Sequence, residues 1–268
     1  MCRVFNVSRS GYHGWRRAQA APCPRRQRRQ QLDEQVARLF DQEKQRSGAR
    51  RLCRLLQHQG YHVNRKTVAC SLRRQGLKAK ATQRFKATTQ SRHSLPVAPN
   101  YLQQRFDVES RDTAWVSDIT YVRTREGWLY LAVVLDLYSR RVIGWAMDET
   151  MKQQLVINAH TMATRRRGHP VGVIVHSDRG SQYCSTAYRR GLSEAGHLCS
   201  MSKKGDCYDN AVAESFFHSL KVELINDGNY QSREQAKQSI FRYIESYYNR
   251  TRLHSTLNYQ SPEQFEAA

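Results

Sequence analysis

Apolar residues recur at helical spacing in the first part of the chain and at alternate positions further on, and the change falls near residue 113. Over residues 49–56, Ala49, Leu52, Cys53, Leu55 and Leu56 repeat three and four apart, which predicts a helix. Gly60 stands where a helix would stop. Asn64 suits the N-cap of a second helix over 65–75, with Val68, Ala69 and Leu72 facing inward. Near the start, Ser8 suits the cap of another helix, and residues 22–29 read as a stiff basic linker. From 114 to 123 the period becomes two. Val116, Asp118, Thr120 and Val122 fall on one side of a strand, and Trp115, Ser117, Ile119 and Tyr121 on the other. Residues 128–136 and 140–147 predict two more strands, joined by a turn at 136–139. A helix over 152–166, a strand over 171–176, a helix over 186–194 and a strand over 197–202 follow. Further helices are expected around Glu214 and over 232–248. Three strands followed by βαβ units give an α/β class, a mixed sheet flanked by helices.

Charge divides the chain at nearly the same place. Residues 1–100 hold 23 lysines and arginines against 4 acidic residues, and the remainder 21 against 19, within a net charge of +21. Such an excess is the footprint of a polyanion binder, double-stranded DNA above all. The two helices over 49–75 then read as a helix–turn–helix. Arg50, Arg51, Arg65, Lys66, Arg73 and Arg74 are its candidate DNA contacts. No apolar run approaches the length of a membrane span, and residues 1–5 lack the apolar stretch of a signal peptide. Seven cysteines without C-x-x-C spacing fit a reducing cytoplasm better than a disulfide framework. Cys53, His58, His62 and Cys70 match no compact zinc spacing, and both cysteines are read as small apolar helix residues.

Three acids carry the candidate chemistry. Asp118 lies in Trp115-Val116-Ser117-Asp118-Ile119-Thr120-Tyr121. Asp178 lies in His176-Ser177-Asp178-Arg179-Gly180-Ser181-Gln182-Tyr183. Glu214 lies in Asp209-Asn210-Ala211-Val212-Ala213-Glu214-Ser215-Phe216-Phe217, with 35 residues between the second and third acids. Carboxylate oxygens are the donors a two-ion phosphoryl-transfer site requires, its ions roughly 3.5–4 Å apart. Asp118 is expected inside the first strand, Asp178 just past the fourth, and Glu214 on a helix capped by Asp209 or Asn210. Asp136 reads as a turn former, and Asp206 and Asp209 as loop and cap residues. Lys221 and His218 are candidate DNA contacts beside the acids. His176 reads equally as a group supporting the site or as a satisfied core histidine, and Gly180 allows a tight loop.

These contexts resemble the DDE transposases and retroviral integrases, and more closely the second-reading-frame (OrfB) transposases of a large bacterial insertion-sequence family. The likeness extends over Val63-Asn64-Arg65-Lys66-Thr67-Val68 and the closing Tyr247-Tyr248-Asn249-Arg250-Thr251-Arg252-Leu253-His254, from Val4 to Phe265. Where the family commonly has Tyr-Gly, this chain has Ser47-Gly48. The resemblance implies a ribonuclease-H-like catalytic core over 107–268, a linker over 82–106, a helix–turn–helix domain over 21–81 and a partial one over 1–20. It implies two Mg²⁺ ions, with Mn²⁺ not distinguished, held by Asp118, Asp178 and Glu214. It implies cleavage at element ends and strand transfer by a DNA 3′-hydroxyl, performed by a homo-oligomer at the bacterial nucleoid and made as a fusion with an upstream-frame product. The residues alone leave two other readings open, a DNA-binding repressor from a decayed element and a nuclease without strand transfer. For Asn249, Arg250 and His254 they leave both core packing and DNA contact.

Overall fold

A computed structural model describes residues 2, 4–20, 23–80, 97–202 and 210–268, which fall into two units, Met1–Thr82 and Gln83–Ala268. Arg84, Lys86 and Arg92 of the expected linker, and the turn Gly205-Asp206-Cys207-Tyr208 with Asp209, lie outside the described residues.

The first unit contains α1 (Arg9–Ala20), α2 (Pro24–Gln42), α3 (Ala49–His58) and α4 (Arg65–Arg74). Ser8 Oγ accepts from the backbone of Gly11, and Asn64 Oδ1 from that of Thr67, so two predicted caps are present. Gly60 takes φ +86° just beyond α3, where a side chain would be strained. One expectation fails. The stretch from Pro24 onward is no linker but the opening of α2. Proline is suited to a first helical turn because its missing N–H has no intrahelical partner there. The exposed arginines that follow are good helix formers. Val36, Leu39 and Phe40 of α2 close a core with Leu52, Cys53, Leu56, Val68 and Leu72. Cys53 is buried there, whereas Cys70 is exposed.

The second unit is built on five strands in the order β3-β2-β1-β4-β5. They are β1 (Ala114–Thr124), β2 (Gly127–Asp136), β3 (Val142–Asp148), β4 (Ile174–Ser177) and β5 (Leu198–Met201). β1, β2 and β3 are antiparallel; β4 runs parallel to β1, and β5 to β4. This is the mixed sheet of a ribonuclease-H-like fold. β4 starts later than expected, because Gly172 at φ +76° interrupts the chain and Val171 is exposed. α5 (Gln153–Arg166), α6 (Ser181–Cys184) and α7 (Thr186–Glu194) supply an apolar cluster with Trp115, Ala132 and Val134. A second cluster joins Val116, Val122 and Leu131 to α8 (Ala211–Leu220) and α9 (Arg233–Arg242). Alternation along β1 thus feeds two cores, one on each side. α5 approaches β3 so closely that a Cβ at Gly144 would stand 2.2 Å from the Ala159 carbonyl oxygen.

Much of the closing segment packs into the fold, although Arg250 is exposed. π-helical turns extend α8 over Lys221–Ile225 and α9 over Tyr243–Tyr248, and α10 (Pro262–Ala267) ends the chain. Asn249 is buried; its side chain donates to the Val142 carbonyl and accepts from the Val142 N–H, as a neighbouring strand would. Arg252 is buried against Glu223. Residues 97–106, counted above with the linker, pack on β5: Tyr101 N–H bonds Ser200 Oγ at 2.9 Å and Leu102 is buried.

Candidate active site

Strand register brings the first two acids together. β1 and β4 pair in parallel with Val116 opposite His176 and Ser117 opposite Ser177. One step further, Asp118 and Asp178 emerge side by side at neighbouring strands, which lie about 4.8 Å apart in any sheet. Both line one hollow of about 410 Å³. Each is oriented by a backbone donor, Asp118 Oδ1 by Ile119 N at 2.7 Å and Asp178 Oδ1 by Gly180 N at 2.9 Å. A Cβ at Gly180 would lie 3.0 Å from Asp178 Oδ1, so a side chain here would crowd the carboxylate. Burial, then the charges of Asp178 and Glu214, drive the Asp118 carboxyl well above its ordinary pKa, against the N–H of Ile119 and the ammonium of Lys221.

Glu214 stands half-buried in the first turn of α8, its own pKa raised by burial. Asn210 stands at the N-cap position, one turn earlier, and its Oδ1 is buried with no hydrogen-bond partner among the described residues. Glu214 does not line the hollow, although its charge is felt at Asp118. Among the described residues no three His, Cys, Asp or Glu side chains stand close enough to hold one metal ion. The structure therefore brings two acids into contact with one hollow and sets the third nearby. Among the described residues, Cys53, His58, His62 and Cys70 form no such group either.

Lys221 follows α8 and puts its Nζ over the Tyr121 ring, 5.3 Å from the centroid. Burial lowers its pKa, against the charge of Asp118. His218 is exposed on α8. His176 is a satisfied core residue, with Nδ1 at 2.9 Å from Ser200 Oγ and Nε2 at 3.3 Å from Ser202 Oγ. Arg179 Nε donates to the Ser202 carbonyl and ties the Asp178 loop to the end of β5. Asp136 does form its turn, accepting from Tyr138 N, but it is also fully buried and paired with Arg167 at 2.9 Å. The walls of the hollow were not foreseen. They include Tyr121, Trp128, Tyr130 and Met151. Alternation places Tyr121 in the strand, but only tertiary packing shows that it stays exposed.

In the first unit, Arg50, Arg51, Arg65, Lys66 and Arg73 line a single open hollow of about 650 Å³ between the start of α3 and one face of α4. Arg74 departs from this set. It turns to Asp33 of α2 at 2.5 Å, and Ser71 Oγ donates to the same carboxylate. Burial works against the charge of Asp33, but these two bonds hold its pKa below the ordinary value. Arg74 therefore belongs to the joint between α2 and α4.

Residues 109–207 and 214–268 match models of an integrase core domain, and residues 27–85 match an HTH-like domain. The chain is 52% identical over 266 residues to the transposase InsF for insertion sequence IS3A of Escherichia coli K12, covering 99% of this chain and 92% of that one. It is 43% identical over 265 residues to a 31 kDa protein of insertion element IS600 from Shigella sonnei, with 99% and 97% covered. A simian T-cell lymphotropic virus intasome structure shares the fold, with a TM-score of 0.50 at 13% identity, covering 87% of this chain and 74% of that one.

Proposed function

The chain belongs to the insertion-sequence transposases that carry an integrase core domain, and from that premise we propose how its residues divide the work on DNA. It is a DDE-type DNA transposase with a helix–turn–helix-like DNA-binding region. Asp118, Asp178 and Glu214 are its proposed catalytic residues. One observation carries this assignment: parallel register sets Asp118 beside Asp178 in a shared hollow.

Divalent ions fit the donor set. All three groups are hard oxygen donors, and the burial and like charge that raise the Asp118 pKa are what a bound cation offsets. Two Mg²⁺ ions, with Mn²⁺ as a substitute, would polarise the phosphodiester and stabilise the attacking and leaving oxygens. Asp118 and Asp178 present carboxylates already oriented by backbone N–H groups. Glu214 completes the set from α8. Lys221 offers an ammonium to the phosphate beside Asp118. Water opens the phosphodiester at the element's end and frees a 3′-hydroxyl. That hydroxyl displaces a second phosphodiester in the target and joins the strands, without a covalent protein–DNA intermediate. We further propose that Arg50, Arg51, Arg65, Lys66 and Arg73 hold the DNA backbone. Because two ends must be joined, the enzyme works as a homo-oligomer on double-stranded DNA. It acts at the bacterial nucleoid, as a fusion with the upstream-frame product.

The test is an end-cleavage and joining assay on labelled element ends, with the chain supplied alone and fused to its upstream frame. Asp118→Asn, Asp178→Asn and Glu214→Gln are each expected to abolish joining while DNA binding persists, and chelation of the metal to do the same. Cleavage without joined product would indicate a nuclease. Binding without cleavage in the wild type would indicate a repressor. Undiminished joining by any of the three variants would remove that residue from the site.

A further inference from the structure

Beside the two acids, the hollow has an aromatic wall that the reaction does not require. Tyr121 of β1 and Trp128 of β2 are 48% and 46% exposed. They meet edge to face with ring centroids 5.1 Å apart. Register accounts for the pairing: Tyr121 is opposite Tyr130 and Arg123 opposite Trp128, so Tyr121 and Trp128 are diagonal neighbours across the strands. Met151 faces the same hollow and is itself 45% exposed. Gln182, which also lines it, donates from Nε2 to the Met151 carbonyl at 3.0 Å and holds that segment in place. Exposed aromatic and thioether surface gathered beside catalytic acids is not a core, and it is not needed to bind an ion. It is suited to a flat apolar group.

The neighbouring charges say which group. The floor is Asp118 and Asp178, and Lys221 stands over the Tyr121 ring. A planar ring against Trp128 and an anion toward Lys221, which stands over the neighbouring Tyr121, are the two chemical parts of a nucleotide. At about 410 Å³ the hollow lies in the range, roughly 300–1,000 Å³, that accepts small-molecule-sized groups. A base stacked within duplex DNA hides both its faces, so only an unpaired base can enter. Because Lys221 covers the Tyr121 ring, Trp128 is the platform and Tyr121 its buttress.

We propose that the slot bounded by Tyr121, Trp128 and Met151 holds one unpaired nucleobase of the strand whose phosphodiester lies at Asp118 and Asp178. This rests on the reading of those acids given above. Extrusion costs base pairing and stacking, and the aromatic wall returns part of it, while the captured base fixes the register of the scissile phosphate.

The experiment measures joining by the full chain, in the fused form if only that form is active. The substrates are element ends that are fully paired, or that carry a single mismatch next to the scissile phosphate. In parallel, 2-aminopurine at that position reports stacking by its fluorescence in the bound complex. Trp128→Ala is expected to lower joining on paired ends by roughly 5- to 150-fold, the loss of one base–aromatic stack. The loss should shrink on mismatched ends, and Trp128→Phe should restore most of the activity. On mismatched ends, where extrusion is already cheap, the 2-aminopurine signal should be quenched in the wild type and brighter in Trp128→Ala. Equal loss on paired and mismatched ends, or no change in fluorescence, overturns the proposal. So does a Trp128→Ala defect that appears as altered sedimentation of the free protein, which would make this wall a contact between proteins. If Asp118→Asn abolishes joining while Trp128→Ala changes nothing, the slot alone is refuted. If Asp118→Asn joins normally, the reading of the acids falls first.

Discussion

Replacing Arg252 by methionine removes the cation from a carboxylate that has almost no access to water. Glu223 is 2% exposed and Arg252 10% exposed at their side chains. Arg252 Nε lies 3.2 and 3.1 Å from the two Glu223 oxygens, and Nη2 lies 2.9 Å from Oε1. Nη2 also donates to Ser219, and the Tyr243 hydroxyl donates to Glu223 at 2.8 Å. Burial opposes the Arg252 charge, yet Glu223 raises its pKa above the ordinary value. Removing one partner of such a pair costs about 3–5 kcal/mol. The variant has an escape, because Glu223 can take up a proton. Holding a glutamic acid neutral at pH 7 when its free pKa is about 4.3 costs about 3.7 kcal/mol, and about 1.4 kcal/mol less for each pH unit below that. The expected loss is therefore about 3–4 kcal/mol at pH 7 and about 1–2 kcal/mol at pH 5.5.

The sign follows from proton binding. In the variant the folded chain holds a proton that the unfolded chain releases, so the deficit grows as pH rises. Urea unfolding followed by tryptophan fluorescence, to which buried Trp115 contributes, with wild type measured at the same pH, isolates this difference. The double variant Glu223→Gln with Arg252→Met should recover most of the loss, since no charge is then stranded. A single-variant loss below about 1 kcal/mol, or one that does not change between pH 7 and 5.5, would refute the assignment of a buried ion pair.

Three further outcomes are expected. Gly144→Ala should destabilise the catalytic unit by at least about 2 kcal/mol, because the new Cβ meets the backbone of Ala159 and Ala163 rather than a flexible side chain; a shift within error in the thermal midpoint would contradict that packing. His160 and His197 bond ring to ring at 2.8 Å in the interior, and burial, then the charge of His197, lowers the His160 pKa to about 4. The His160 ring therefore stays neutral in the fold where the unfolded chain already binds protons. Stability should thus fall between about pH 6.5 and 4, by up to about 3 kcal/mol from His160, and His160→Gln should flatten that profile. Asp178→Asn should raise stability by about 1 kcal/mol as it abolishes joining, since it removes a like charge from Asp118 and retains an oxygen for the Gly180 N–H; a lowered melting temperature would count against the repulsion.

Local chemistry was readable wherever it decided the structure. The alternation over 114–123, the Asn64 cap, the stop at Gly60 and the helix over 186–194 depend on neighbours within a few residues, and each has its counterpart. Pro24 misled because proline followed by arginines resembles a linker, and the apolar residues that dock α2 come only at Val36, Leu39 and Phe40. Val171 misled because an apolar residue counts toward a strand even when Gly172 turns the backbone away. Asn249 was undecidable from its surroundings, since the backbone it serves, at Val142, is 107 positions away.

The three acids differ in the same way. Asp118 and Asp178 meet because two strands must pair in parallel, and pairing register leaves little freedom once one face of each strand is buried. Glu214 has no such constraint. It sits on α8, beside a stretch outside the described residues, and its place is set by packing: by Ala213, Phe216 and Leu220 against the sheet and by how α8 is anchored at its other end. That anchor is the π turn Lys221–Ile225, held through Glu223 by Arg252. The closing Tyr247-to-His254 segment thus holds the helix that carries the proposed third carboxylate. Arg252→Met should then lower joining even at temperatures where the chain stays folded, and the double variant that restores stability should separate the two effects. Recovery of stability without recovery of joining would show that the ion pair positions Glu214 as well as stabilising the fold.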